Sequence, residues 1–311
     1  MATIILDCDP GIDDALAIAF AHGHPGIELL GITTVAGNVG LAKTTENALA
    51  VCEFIGASVP VTAGCATPLI RPALDAAHVH GETGLGGARL PRPAAAPAGG
   101  HAVDYIIETV RARPGEITLV ATAPLTNIAL AVRKEPRLTQ WVRDFVIMGG
   151  SSGRGNTTPA AEYNIWADPE AAAAVFEAGW TVTMLGLDVT QRTGASQAIL
   201  DRMGQLGRLG TGLLLPALEQ YRATAGEDGP PVHDVCAVVH VAEPGMFGFV
   251  PARVEVETTG RLTSGMTVTD FGHGPRNAAV GMRIDPDRFW ELTLGTYTRL
   301  AAQLAPTVTP G

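Results

Sequence analysis

Ile4-Ile5-Leu6-Asp7-Cys8-Asp9-Pro10-Gly11-Ile12-Asp13-Asp14-Ala15-Leu16-Ala17-Ile18 is the stretch that decides the fold. A short apolar run suited to a buried strand breaks at Pro10-Gly11, and Ile12, Ala15, Leu16 and Ile18 then resume at near-helical spacing. Four carboxylates therefore crowd one strand-to-helix turn. Like charges this close raise one another's pKa and resist joint ionisation unless something positive sits among them. A hard divalent cation answers that need, because Asp9 at the end of the strand and Asp13-Asp14 at the helix start can turn several oxygens toward one centre. A helix cap, or a favourable charge at the helix N-terminus, accounts for one such carboxylate but not for four.

Outward from this turn the chain alternates. Ile12 to His22 reads as helix, Ile27 to Val35 as a buried strand, and Leu41 to Ile55 as helix again. Farther on, helix 101–113, strand 116–121, helix 128–134, strand 144–148, an Ala-rich helix opened by Asp168-Pro169-Glu170 and strand 180–185 continue the pattern. Strands near 252–257, 266–270 and 277–284 and a helix over 287–304 close it. Such alternation predicts an α/β fold, a mostly parallel central sheet flanked by helices around a Rossmann-type core. No linker divides the 311 residues, so a single domain over 1–311 is expected. Ligands of such sheets bind beyond the carboxyl ends of the strands, where Asp9 and Asn38 both fall.

Composition narrows the partners. Lys and Arg total 21 against 31 Asp and Glu, a net charge of −10, which offers no basic field to nucleic acid or to an anionic membrane. Cys8, Cys52, Cys65 and Cys236 are scattered without metal-type spacing and read as core residues in a reducing compartment. With no signal-like start and no apolar run of membrane-spanning length, a cytoplasmic location is expected.

Several further motifs lie at predicted strand ends or helix starts. The 66–100 stretch, rich in Pro, Ala and Gly, reads as a long loop and holds His78-Val79-His80-Gly81-Glu82-Thr83-Gly84-Leu85. A His-x-His pair alone, with no Cys or third clustered His, does not make a zinc site. Thr122-Ala123-Pro124-Leu125-Thr126-Asn127 leads into a helix, with Pro124 in its first turn. Met148-Gly149-Gly150 precedes a polar loop with Asn156, then Glu162-Tyr163-Asn164; in an extended segment Glu162 and Asn164 would face one side, where a carboxylate and an amide suit vicinal hydroxyls. A second loop over 225–231 leads to His233-Asp234 at the start of an apolar helix.

Asp7-x-Asp9-x-x-x-Asp13-Asp14, with His80-Gly-x-x-Gly-Leu, Thr-x-x-Leu-Thr-Asn, Met-Gly-Gly followed by Glu-x-Asn, and His233-Asp234, resembles the inosine-uridine-preferring nucleoside hydrolases. These enzymes cut the N-glycosidic bond of ribonucleosides with a calcium ion. The resemblance implies calcium (Ca2+) held by Asp9, Asp14, the Thr122 carbonyl and Asp234, with Asp9 as general base. It implies His233 beside the leaving base and His80 at the nucleobase. Asp13, Asn38, Met148, Asn156, Glu162 and Asn164 would contact the substrate, and Asp7 would support the ligands. Members with strong pyrimidine preference carry a Tyr eight residues before the His-Asp pair, where this chain has Ala225. Its nearest upstream aromatic is Tyr221, as in broad members, so both inosine and uridine are expected substrates. A homodimer or homotetramer is expected by the same resemblance.

The turn admits other readings. An EF-hand loop counted from Asp7 would need Gly at its sixth position and Glu at its twelfth, which are Ile12 and Ile18 here. A haloacid-dehalogenase-type phosphatase, with Asp7 as nucleophile and Asp9 as acid, expects Thr or Val where Gly11 stands. A catalytically silent, calcium-dependent nucleoside- or ribose-binding protein is the third alternative.

Overall fold

The computed structural model describes residues 1–222 and 229–305. Its strands are β1 (Ala2–Cys8), β2 (Ile27–Thr34), β3 (Val61–Ala63), β4 (Ile117–Ala121), β5 (Asp144–Met148), β6 (Val182–Leu185), β7 (Phe247–Val256), β8 (Thr267–Asp270) and β9 (Ala278–Ile284). They form a nine-stranded sheet in the order β3-β2-β1-β4-β5-β6-β9-β7-β8. The strands from β3 across to β9 are paired in parallel, and β7 and β8 extend that edge in antiparallel pairing.

Parallel strands covered on both faces read as continuous apolar runs, and β4 (ITLVA) is buried along its whole length. Successive residues then supply opposite cores. Ile4, Leu6, Val120 and Val146 pack with the helices Ile12–Gly23, Val235–Ala242 and Pro286–Leu304. Ile5, Leu119, Phe145 and Ile147 pack with Ala102–Ala112, Thr126–Lys134 and Pro169–Phe176. Emptying such a position, Ile5→Ala for instance, typically costs about 2–5 kcal/mol, which is why the sheet's centre holds its shape.

The chain leaves β1 toward β2 and β3 on one side, then returns through β4 to β5 and β6 on the other. This reversal between β1 and β4 is a topological switch point, and it opens a crevice beyond their carboxyl ends. Asp7 is paired with Ala121, and the Thr122 N–H donates to the Asp7 carbonyl at 2.9 Å, so Asp9 and Thr122 emerge side by side there.

Three local expectations change. β3 was not anticipated, since three residues carry too little periodicity to stand out. β7 begins at Phe247 rather than near 252, because Gly248 and Pro251 hide the first half of a strand that is paired there only with β9, and that pairing overrides local propensity. Glu162 and Asn164 are not in an extended segment. Glu162 caps the short helix Tyr163–Ala167, its carboxylate accepting the Asn164 and Ile165 N–H groups. No described helix is long and apolar enough to cross a membrane.

Candidate active site

At the switch point five aspartates lie buried: Asp7, Asp9, Asp13, Asp14 and Asp234. Asp14 is held from all sides, accepting the Gly11 N–H and Asn38 Nδ2 at 3.0 Å on Oδ2 and the Thr122 hydroxyl at 3.0 Å on Oδ1. Asp9 Oδ2 accepts the Asn38 N–H at 2.6 Å, whereas its Oδ1 is buried with no hydrogen-bond partner. Carboxylate oxygens of Asp13, Asp14 and Asp234 come within 4.8 Å of one another. Close approach of the backbone makes this packing possible. A Cβ on Gly37 would overlap Asp9 Oδ2, and one on Gly11 would collide with Asn38 Nδ2 and His80 Nδ1, so only glycine fits at either place.

Crowding and burial shift the acids upward. Burial, then the Asp14 charge, pushes Asp13 up to about 7 and raises Asp9 as well. Burial raises Asp14, and burial together with Asp13 raises Asp234. Among the described residues no ion pair reaches this cluster, although a fully desolvated set of acids demands compensation. An all-oxygen donor set, an orphaned Asp9 oxygen and three converging carboxylates fit a metal ion, and a hard one.

Above the acids lies a cavity of about 660 Å³. Asp13, Asn38, Thr122 and Asp234 border it at the acidic end. His80, Tyr221 and His233 form an aromatic wall, with ring centroids 5.8 Å apart for His80–Tyr221 and 6.4 Å for Tyr221–His233. Met148, Asn156, Glu162 and Asn164 line the remainder. Asp9 and Asp14 are fully buried and do not border the cavity.

Each histidine is held by one ring nitrogen. The Ile12 N–H donates to His80 Nδ1 at 3.1 Å, which leaves the proton of the neutral ring on Nε2, and burial, with His233 and His78 adding, lowers its pKa to about 3. His233 Nδ1 pairs with the Thr190 hydroxyl at 2.7 Å, and burial lowers its pKa to about 4. Asn164 Nδ2 donates to the Thr122 carbonyl at 3.0 Å and to that of Met148 at 3.1 Å. Glu162 also accepts the Gly150 N–H at 2.8 Å, yet burial pushes it up to about 7.

Residues 4–291 match the model of a family described as inosine-uridine preferring nucleoside hydrolase. The chain belongs to that family. It is 45% identical over 306 residues to the inosine-uridine preferring nucleoside hydrolase of Leishmania major, covering 96% of this chain and 98% of the other. The non-specific ribonucleoside hydrolase RihC of Escherichia coli is 45% identical over 290 residues, 92% of this chain and 95% of that one. Among solved structures, the purine-preferring ribonucleoside hydrolase from Gardnerella vaginalis superposes with a TM-score of 0.91 at 32% identity, covering 96% and 99% of the two chains. As a nucleoside hydrolase, the chain is an enzyme that cleaves nucleoside N-glycosidic bonds.

The phosphatase alternative is not favoured. Asp7 Oδ1 accepts from the Thr33 hydroxyl at 2.6 Å and Asn127 Nδ2 at 2.8 Å, contacts that tie it to β2 and to the Thr126–Lys134 helix and suit a supporting residue rather than a nucleophile. The nucleoside hydrolase cavity also holds residues that motif reading passed over. Asp75, Tyr163, Trp166 and Gln191 border it, as does His78, exposed at its edge as a surface residue should be. Tyr163 and Trp166 were hidden by the extended reading of their segment, because only a helical turn brings both to the wall. Thr190, which fixes His233, carried no signal beyond lying at a strand's end. Ala225, the position compared with the pyrimidine-preferring members, lies outside the described residues, as do positions 226–228 of the loop expected over 225–231.

Proposed function

We propose that this nucleoside hydrolase splits inosine and uridine, among other ribonucleosides, into free base and ribose, with calcium as its metal and Asp9 as its base. The observation that carries the reading is the buried carboxylate centre at the acidic end of a cavity that is also lined by two neutral histidines and a tyrosine. Calcium held by Asp9, Asp14, the Thr122 carbonyl and Asp234 would bind ribose hydroxyls and make the attacking water more acidic, though less than zinc would. That modest effect is why a positioned carboxylate is needed. Asp9 Oδ1, the orphaned oxygen, is the atom to accept the water's proton as it attacks the anomeric carbon.

The sugar reacts through an oxocarbenium-like state. Asp13, Asn38, Asn156, Glu162 and Asn164 would hold its hydroxyls and Met148 would pack against it, while His80 and Tyr221 would flank the base. His233, its Nδ1 tied to Thr190, turns the other nitrogen to the departing base. The Thr190 hydroxyl can donate to Nδ1, and in that tautomer Nε2 carries the proton. Four free, buried cysteines support a reducing, cytoplasmic setting, and the family resemblance supports a homodimer or homotetramer.

Release of free base and ribose from a panel of nucleosides, with calcium supplied, tests the reading. Both inosine and uridine should be consumed; inertness toward the whole panel would overturn it. A second expectation isolates His233. His233→Ala should slow inosine by roughly 10²-fold or more while slowing an activated nitrophenyl riboside far less, since that leaving group departs without a proton. Equal losses on both substrates would mean that His233 positions the sugar or the metal.

A further inference from the structure

The Leu41–Ile55 helix sets a polar edge against the back of the acidic turn. Thr44 Oγ1 donates to the Val35 carbonyl at 2.9 Å, fixing the end of β2. One turn on, Asn47, 8% exposed, spends both amide hydrogens on carbonyls from distant parts of the chain: Pro10 at 2.9 Å and Thr83 at 2.8 Å. Pro10 lies within the turn that carries Asp9, Asp13 and Asp14. Thr83 belongs to the loop that follows His80, where the Gly84 N–H donates to the Gly81 carbonyl at 3.0 Å and the Gly86 N–H to that of His80 at 2.9 Å.

Two hydrogen-bonded links therefore join the acidic turn to the His80 loop. One is the His80 ring itself, through the Ile12 N–H. The other is Asn47. A primary amide satisfies two carbonyls at once, whereas a serine could serve one and an aspartate neither. The loop is pressed onto this amide: Gly84 has φ +90°, and a Cβ there would lie 2.8 Å from Asn47 Nδ2.

We infer that Asn47 is a positioning residue for nucleobase binding, holding residues 80–86 against the acidic turn so that the His80 ring stands at a fixed height above the carboxylates. The inference rests on the nucleoside hydrolase reading for its assay. Asn47 does not border the cavity, so its loss acts through His80.

Asn47→Ala leaves two carbonyls without their donor, and KM for inosine and uridine should rise roughly tenfold, what one lost buried hydrogen bond is worth. The kcat should change by less than about threefold, because the acids keep their other contacts. Two readouts separate this from a general loss of structure. Amide exchange at Gly84 and Gly86 should quicken, and His80→Ala should cost clearly less in the Asn47→Ala background than in the wild type. Should Asn47→Ala fail to fold, Asn47→Ser, which keeps one donor, takes its place and should show the same changes at smaller size. Unchanged KM with unchanged exchange overturns the inference, as does full additivity with His80→Ala. A wild-type enzyme that cleaves no nucleoside would defeat the functional reading instead, and the exchange experiment would still report on the anchor.

Discussion

Asp9→Asn should lower kcat on inosine by roughly 10²–10⁴-fold, the range typical of a positioned general base, with little change in melting temperature. The substitution is isosteric, and Asn can still accept the Asn38 N–H where Asp9 Oδ2 does now, at 2.6 Å. Its amide nitrogen then falls where Oδ1 stands buried and unpartnered. That nitrogen can neither take a proton from water nor welcome a cation, so the loss reaches beyond the base if the metal also loosens. Wild-type turnover in the variant would move the base elsewhere. Phosphate release that survived Asp9→Asn but vanished in Asp7→Asn would revive the phosphatase reading.

Stripping divalent ions should abolish nucleoside cleavage, and calcium should restore it where zinc does so poorly, because every proposed ligand is an oxygen. Stability carries the same information with a definite pH dependence. Asp13 and Glu162 have folded-state values of about 7, raised chiefly by burial above the ordinary carboxylate range. Between about pH 4 and pH 7 the folded, metal-free protein thus keeps protons that the unfolded chain has released. Its stability should be greatest at the acidic end of this window and fall as pH rises through 7. A cation held among the clustered aspartates takes the place of their protons, so calcium should raise the melting temperature more at pH 8 than at pH 5, releasing protons as it binds. Full activity in metal-free buffer, or a calcium effect on melting that is absent at both pH values, would remove the metal from the mechanism.

How much of this was legible in the sequence follows from where the energy sits. The Leu41–Ile55 helix and β5 (Asp144–Met148) agree residue for residue with the sequence reading, because a long amphipathic helix carries strong periodicity and a short apolar run bounded by Asp144 and Gly149 reads as a buried strand. The acidic turn was equally plain, since four carboxylates in eight residues leave few chemical explanations. What failed was local geometry set by distant partners. Glu162 caps a helix because the Gly150 N–H and its own following backbone need an acceptor, which no spacing rule shows. Tyr163 and Trp166 reach the cavity only in consequence. Asn47 gave no signal, as its two partners lie 37 and 36 positions away.

The centre at the switch point is spread along the chain in a way that orders its assembly. Thr122 follows Asp9, Asp13 and Asp14 by more than a hundred positions, and Asp234 follows them by more than two hundred. A growing chain therefore carries these acids long before their last partner exists, and β1 has both its neighbours, β2 and β4, in the chain before the carboxylate set is complete. An ion held there would act as a lock fitted after the frame is built. Its contribution would then fall on the rate at which the finished enzyme comes apart, not on the rate at which it forms.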